Sequence, residues 1–215
     1  SFKNEDGSVN WLPVCPDAHG FVVNRDLFEQ YDIPLPNDYA GFAAACKAFE
    51  KVGIRGYTAD YLYDYTCMET LQGLSAAELT TTDGRKWRSA YSDPANDTRV
   101  GLDDTVWPGG FERMEQFIQD TGLTAADLKL NYDDVTEMFG NGQLAMYFGT
   151  SAGVKMFQEQ GIDATFLPFF SQNGEKWLMT TPYFQVALNR DLEQDNARRE
   201  KAMQVLHVML SEDAQ

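Results

Sequence analysis

GFVVNRDLF, residues 20–28, decides how this chain folds. Phe21 to Val23 is a short apolar run of β-formers, the mark of a buried strand. Asn24 follows as a good helix N-cap, so a short helix begins directly after the strand. Working backwards, Trp11 to Val14 reads as the other member of a strand pair. Working forwards, Pro34 and Pro36 break the chain, and a helix then runs from about Asp38 to Val52. Its stripe of Tyr39, Phe42, Ala43, Cys46 and Phe49 has three- and four-residue spacing, and Gly53 ends it. Strand and amphipathic helix alternate from there on, which predicts an α/β fold.

The same alternation extends to the end of the sequence. IRGYTA reads as a strand, and a helix from about Asp60 to Leu74 carries Tyr61, Tyr63 and Tyr65 near its start. The stretch from Thr80 to Asp104 is polar, with Asp-Gly and Asp-Pro turn signals, and reads as mostly irregular with room for a helix around Trp87. After Pro108 a helix places Phe111, Met114, Phe117 and Ile118 on one face and closes at Gly122. Asn131 caps a helix from Tyr132 to Phe139. LAMYFG is a buried strand, and Thr150 or Ser151 caps the helix after it. IDATFLPF is a strand, QNGE a hairpin turn, and Trp177–Thr180 and Phe184–Leu188 are strands. A last helix runs from about Asn196 to Leu210, with Ala202, Val205, Leu206 and Met209 turned inward.

Composition narrows the function. The chain has 215 residues, 43% hydrophobic and 23% charged, which is ordinary for a globular protein. No apolar run approaches the ~20 residues of a membrane helix. Seventeen basic against 33 acidic residues leave a net charge of −16, which repels nucleic acid and anionic membranes but suits a neutral, hydroxyl-rich partner. Three cysteines without Cys-x-x-Cys spacing, and only His19 and His207, argue against a disulfide framework and a metal site. No cofactor is expected. The opening SFKNEDGSVNWLP lacks an initiator Met and the closing SEDAQ ends a helical pattern, so both ends read as cuts from something longer.

No motif for catalysis emerges. GNG in FGNGQLAM lacks the Lys-Ser/Thr of a phosphate loop, TSAG has the wrong flanks for a nucleophile elbow, and no nucleophile stands beside Asp17 and His19. Carboxylates are numerous, but no local signature selects the pair a glycosidase needs. The tyrosines at 61, 63 and 65 are more informative. A spacing of two on a helix puts neighbours on different faces, so at least one ring faces solvent or a cleft. There it can stack on the C–H face of a pyranose, while phenols and carboxylates bond its hydroxyls.

Three stretches carry a family resemblance. WLPVCPDAHGFVVNRDLFEQYDIPLPNDYAGFAAACKAFEKVGI resembles the first interlobe crossing of family 1 extracellular solute-binding proteins, with Val23 in place of the usual Tyr and Asp38-Tyr39 in place of Thr-Trp. FGNGQLAMYFGTSAGVKMF resembles the segment "Phe-x-x-Gly-x-Ala-Ala-Met-x-x-x-Gly-x-Trp". ATFLPFF and TTPYFQVALNRDLEQDNARREKAMQVLHVMLSEDAQ are similar to the late strand, the return crossing and the helix ending in "Leu-Ser-Glu-Glu-Gly-Gln". The three occur in the family's order. The insert from Leu74 to Val106 shows little likeness.

The resemblance implies a periplasmic-binding-protein-like type II fold, represented by one lobe plus hinge segments. Residues 1–16 would be a hinge and first-lobe segment, 17–182 the second lobe, and 183–215 the return crossing and a first-lobe helix. With most of the first lobe missing, that last helix should lack part of its packing surface. The implied function is the carbohydrate-binding, non-catalytic component of an ABC importer, outside the cell or in the periplasm. Its partners would be a small carbohydrate and the permease subunits; contact with the membrane would come only through a lipid anchor outside these residues. The implied ligand-binding residues are Asp17 and His19 in the crossing, Tyr61 and Tyr63 at a helix start, and Ser151 where a stacking Trp is usual. Tyr183 and Phe184, at the return crossing, could supply a replacement ring. The alternatives are a binder of a non-sugar solute such as a peptide or polyamine, a glycoside hydrolase fragment, and a cell-surface interaction protein.

Overall fold

The computed structural model describes residues 6–93, 100–103, 107–171 and 173–211, with the side chains of 182–184 left aside. The chain divides into two compact units, one of Ser1–Ala18 with Thr180–Gln215 and one of His19–Met179.

The larger unit is built on a sheet in the order β2-β3-β1-β4. The strands are β1 (Leu12–Asn24, whose residues from His19 on belong to this unit), β2 (Arg55–Thr58), β3 (Leu144–Thr150) and β4 (Ala164–Leu167). β1 runs antiparallel to both β3 and β4, pairing Phe21 with Phe148 and with Leu167, whereas β2 and β3 are parallel, with Tyr57 beside Met146. The decisive stretch is buried from Gly20 to Asn24 because helices cover both faces of the sheet. Phe21 and Val23 point into a core with Phe42, Phe49, Tyr57, Phe117 and Phe169, and Val22 points into the opposite one with Phe139, Tyr147 and Phe157.

The flanking helices follow from local chemistry. Asn24 accepts the N–H of Leu27 and opens α1 (Arg25–Gln30). Asp38 accepts the N–H of Gly41 at 2.7 Å and opens α2 (Tyr39–Lys51), whose buried face is Phe42, Ala43, Ala45, Cys46 and Phe49. A Cβ on Gly56 would fall 2.5 Å from the Cα of Cys46, so this glycine lets α2 lie against β2. Burial pushes the Cys46 thiol up to about 12, as expected of an inert core residue. Next come α3 (Asp64–Leu74), α4 (Ala76–Leu79), α5 (Thr82–Ser92), α6 (Trp107–Thr121), α7 (Tyr132–Gly140) and α8 (Ser151–Gln158). β5 (Phe169–Phe170) and β6 (Lys176–Trp177) form a separate hairpin.

Several sequence expectations change. Leu12–Val14 and Phe21–Val23 belong to one continuous strand that leaves out Trp11, because partners on both sides of β1 keep it extended. In the stretch read as mostly irregular, the helix allowed around Trp87 is present as α5, and Trp87 anchors it in a cluster with Leu71, Leu79 and Trp107. Tertiary packing thus outweighs the turn-forming Asp83-Gly84 pair, and Gly84 instead lies close against the backbone of Glu78. Residues 94–99 and 104 of that stretch lie outside the described residues. Helix α3 begins at Asp64, not Asp60. On α6, Phe117 is buried but Phe111 and Ile118 are 46% and 40% exposed, so the inward face is narrower than the apolar spacing suggests.

Asp32 is the one described non-glycine residue with positive φ, at +52°. Such backbone favours glycine. Asp32→Gly is therefore expected to raise stability by a few tenths to about 1 kcal/mol, read from urea unfolding. A loss of stability would show that the Asp32 side chain stabilises the turn more than its backbone strains it.

β7 (Met179–Val186), whose residues from Thr180 on belong to the smaller unit, pairs with β1, and in that unit Asp195 caps α9 (Asn196–Met209) by accepting the N–H of Arg198 at 3.1 Å. None of the described residues of α9 is buried, and Val205 and Val208 are 60% and 65% exposed. Val205 was expected to face inward; within this unit nothing covers it.

Candidate functional site

Strands β2 and β3 are parallel, so their C-terminal ends open on one edge of the sheet, where α/β proteins place ligands. β3 ends at Thr150 and α8 begins at Ser151; β2 ends at Thr58 and α3 begins at Asp64. β1 enters at the same edge, with His19 opposite Thr150. Local sequence thus delivers two helix starts and a histidine to one place in the larger unit.

The segment between β2 and α3 carries most of the chemistry. Asp60 is 8% exposed, and its Oδ1 accepts the Thr66 hydroxyl at 2.9 Å. Its Oδ2 takes a long bond, 3.4 Å, from the Tyr65 hydroxyl, and the backbone N–H of Asp60 also bonds the carboxylate. Burial raises the Asp60 carboxyl above its ordinary range, with the negative charge of Glu69 a smaller contribution in the same direction. The rings of Tyr63 and Tyr65 stack nearly parallel, centroids 5.4 Å apart, and are 38% and 56% exposed. Glu69, on the next turn of α3, receives Nδ1 of His19 at 3.1 Å and ties β1 to this helix.

A second network holds the segment from below. Asp127 Oδ1 accepts from Arg55 at 2.9 Å and from the Thr58 hydroxyl at 2.7 Å. Its Oδ2 accepts the backbone N–H and the hydroxyl of Thr124. Three residues on, the carbonyl of Leu130 takes the N–H of Leu62. The end of β2 and the approach to α3 are therefore both pinned to the 124–130 segment.

The residues expected to bind ligand are distributed as follows. His19, Tyr63 and Ser151 lie at this edge, with Ser151 exposed at the start of α8. Thr150 is the N-cap of α8 but makes no side-chain cap. Tyr61 is a core residue: it is 6% exposed, and its hydroxyl bonds Tyr57 at 2.9 Å and Thr70 at 3.4 Å. Asp17 belongs to the smaller unit, where it is buried and accepts the N–H of Ala18. Tyr183 and Phe184 lie in β7, but their side chains fall outside the described residues.

Asp60 and Glu69 are not singled out by the sequence, whereas Tyr65 belongs to its aromatic cluster without being among the implied ligand-binding residues. Asp60 had a usable signal, a carboxylate at the C-terminal end of a buried strand and just before a helix. Glu69 had none, because its partner His19 is 50 residues away in sequence. Among the described residues no group of three His, Cys, Asp or Glu could hold a metal ion, and no helix is long and apolar enough to cross a membrane.

A family model described as bacterial extracellular solute-binding protein matches residues 3–215. A comparison with curated proteins finds no match. Among solved structures, a probable secreted solute-binding lipoprotein from Streptomyces coelicolor superposes with a TM-score of 0.76 at 14% identity, over 99% of this chain and 52% of that one. A sugar transporter from Bacillus licheniformis in complex with stachyose gives 0.68 at 13% identity, over 94% and 53%. The solute-binding protein RafE in complex with raffinose gives 0.68 at 17% identity, over 97% and 58%. At these identities the likeness establishes the fold, and this chain spans about half the length of each of those structures.

Proposed function

The chain belongs to the family of bacterial extracellular solute-binding proteins, and from that premise we propose that it is the carbohydrate-binding lobe of an ABC importer's substrate-binding component. The observation that carries the reading is the exposed Tyr63–Tyr65 stack beside Asp60, at the sheet edge where α3 and α8 begin. Flat rings suit the apolar face of a pyranose, and a carboxylate suits its hydroxyls. Sugar ligands in two structures of the same fold support the reading. The proposed setting is outside the cell or in the periplasm, with permease subunits as partners and any lipid anchor beyond these residues.

The proposed mechanism is population shift. Ligand seated on this lobe gains a second set of contacts only when another lobe closes over it, and closure is what a permease would recognise. The 215-residue chain forfeits that second set. It is expected to bind its sugar with a Kd of about a millimolar or weaker, a strength NMR titration reads well. A panel of neutral oligosaccharides, raffinose and stachyose included, should move the amide signals of residues 60–69 and of Ser151. Tyr63→Ala with Tyr65→Ala should weaken that binding about tenfold or more. Micromolar binding by this chain would defeat the two-lobe mechanism, and a panel without any response would defeat the carbohydrate reading.

A further inference from the structure

We propose that helix α5 is a docking face for an anionic phospholipid surface, which it meets through Arg85, Lys86 and Arg88 and the exposed apolar side chains beside them. The chain as a whole carries −16, yet residues 85–88 read Arg-Lys-Trp-Arg, and Asp83 is the only acid within Thr82–Ser92. In the larger unit no other stretch puts three cations within four residues. All three are exposed, while Gly84 and Trp87 are buried. Positions 82, 85, 88, 89 and 92 lie along one side of the helix, with 86 at its border. That side therefore presents cations and the hydroxyls of Thr82, Ser89 and Ser92. Arg88 has no ion-pair or hydrogen-bond partner among the described residues. Arg85 commits only its Nε, to the Thr80 carbonyl at 2.9 Å. Lys86 pairs with Asp83 at 3.3 Å, but both side chains are exposed, so water and a new partner compete easily. A hollow of about 650 Å³ over this face is lined by Thr82, Arg85, Lys86, Ser89, Ala90 and Asp93. Cations beside hydroxyls are the groups that hold a phosphodiester.

Apolar side chains flank the charge. Trp87 and Trp107 meet edge-on at 5.5 Å and are buried with Leu71 and Leu79. Outside them stand Tyr91, stacked on Trp87 at 4.9 Å and 63% exposed, and Phe111, 6.2 Å from Trp107 and 46% exposed. Leu102 follows the Gly101 carbonyl that takes the Trp87 indole N–H, and it too is exposed. Cations with exposed rings beside them suit the boundary between headgroups and acyl chains, where phosphates meet the cations and rings leave water. A dissolved polyanion, or the acidic surface of a second copy, would use the charges and leave the rings wet.

The net charge of −16 opposes such contact at long range. At physiological ionic strength, however, exposed charges more than about 8 Å apart are largely screened from one another, so the residues nearest the surface decide binding. Each cationic side chain close to an anionic membrane contributes about fivefold in affinity. No described helix is long and apolar enough to cross a membrane, so the contact proposed is peripheral.

The test is co-sedimentation of the whole chain with vesicles of phosphatidylglycerol and phosphatidylcholine in equal parts, and with vesicles of phosphatidylcholine alone. No sugar is present, so the outcome is independent of the carbohydrate reading. We expect binding to the anionic vesicles only, weakened about tenfold or more between about 50 mM and about 500 mM salt. Arg85→Gln with Lys86→Gln and Arg88→Gln should weaken it about tenfold or more, and Tyr91→Ser with Phe111→Ser about threefold or more. Arg198→Gln with Arg199→Gln, an exposed pair on α9, should leave it unchanged. Absence of binding, equal binding to both kinds of vesicle, or full binding by the triple variant would each overturn the proposal. Soluble polyphosphate bound as tightly as the vesicles, with Tyr91→Ser and Phe111→Ser without effect, would assign the face to a dissolved polyanion and overturn it too. So would self-association that the triple variant abolishes in the absence of vesicles. Should the triple variant fail to fold, Arg88→Gln alone decides: it should lose about threefold to fivefold, and unchanged binding overturns the proposal.

Discussion

Phe21→Ala is expected to cost about 4 kcal/mol of unfolding free energy, the upper part of the range for an aromatic deleted from a packed core. Phe21 is 1% exposed and lies in the core on the face of the sheet that α2 and α6 cover. Its ring stacks on Phe42 at 4.7 Å and meets Phe169 and Tyr57 at 5.0 and 5.6 Å. Phe117 stacks a little farther off, at 6.5 Å. These partners are themselves held by α2, β5, β2 and α6, so they cannot all move in to fill the space. For a domain of this size the loss should lower Tm by about 10 °C, read by calorimetry or circular dichroism. A change below about 1 kcal/mol would mean that the core collapses around the gap and that Phe21 is not its hub.

Asp127→Ala is the second large effect, and it bears on the site. The Asp127 side chain is 9% exposed and that of Arg55 24%, so removing the carboxylate strands a half-buried guanidinium and the fully buried Thr58 hydroxyl. Breaking such a pair costs about 3–5 kcal/mol. Asp127→Asn, which keeps acceptors for Thr58 and Thr124, should cost clearly less. Because this network pins the end of β2, the amide signals of residues 58–66 should shift in Asp127→Ala even in the absence of ligand. Unfolding in urea and a single amide spectrum check both points. Equal destabilisation by Ala and Asn would place the energy in the charge of the pair and not in the hydrogen bonds to threonine.

The two effects differ in how they could be foreseen. Phe21 lies in an apolar run whose length and flanks already mark a buried strand. Asp127 sits in a polar stretch, AADLKLN, where nothing in the sequence separates it from the other acids. Its importance comes from Arg55 and Thr58, 72 and 69 residues away, which the fold brings within hydrogen-bond reach of it. Asp60 and Glu69 are similar. A carboxylate gains meaning from its partners, and those partners come from other elements.

The tyrosines show the same division within six residues. Spacing alone required that Tyr61, Tyr63 and Tyr65 could not all face one way. Which of them would be buried depended on where α3 begins. Because it begins at Asp64, Tyr61 is still in the connection below the edge and turns into the core against Tyr57 and Thr70. Tyr63 and Tyr65 fall at the helix start and stack outward.

What GFVVNRDLF determined by itself was a buried strand passing directly into a capped helix, and with it the α/β class. Apolar run length and an N-cap side chain act within a few residues of sequence, so they survive without tertiary context. The tertiary structure decided that this strand is one long piece with neighbours on both sides, since only pairing keeps thirteen residues extended. It also decided which acid and which rings meet at the sheet edge, because such meetings depend on register and helix start, and a shift of one residue in either turns a side chain from cleft to core.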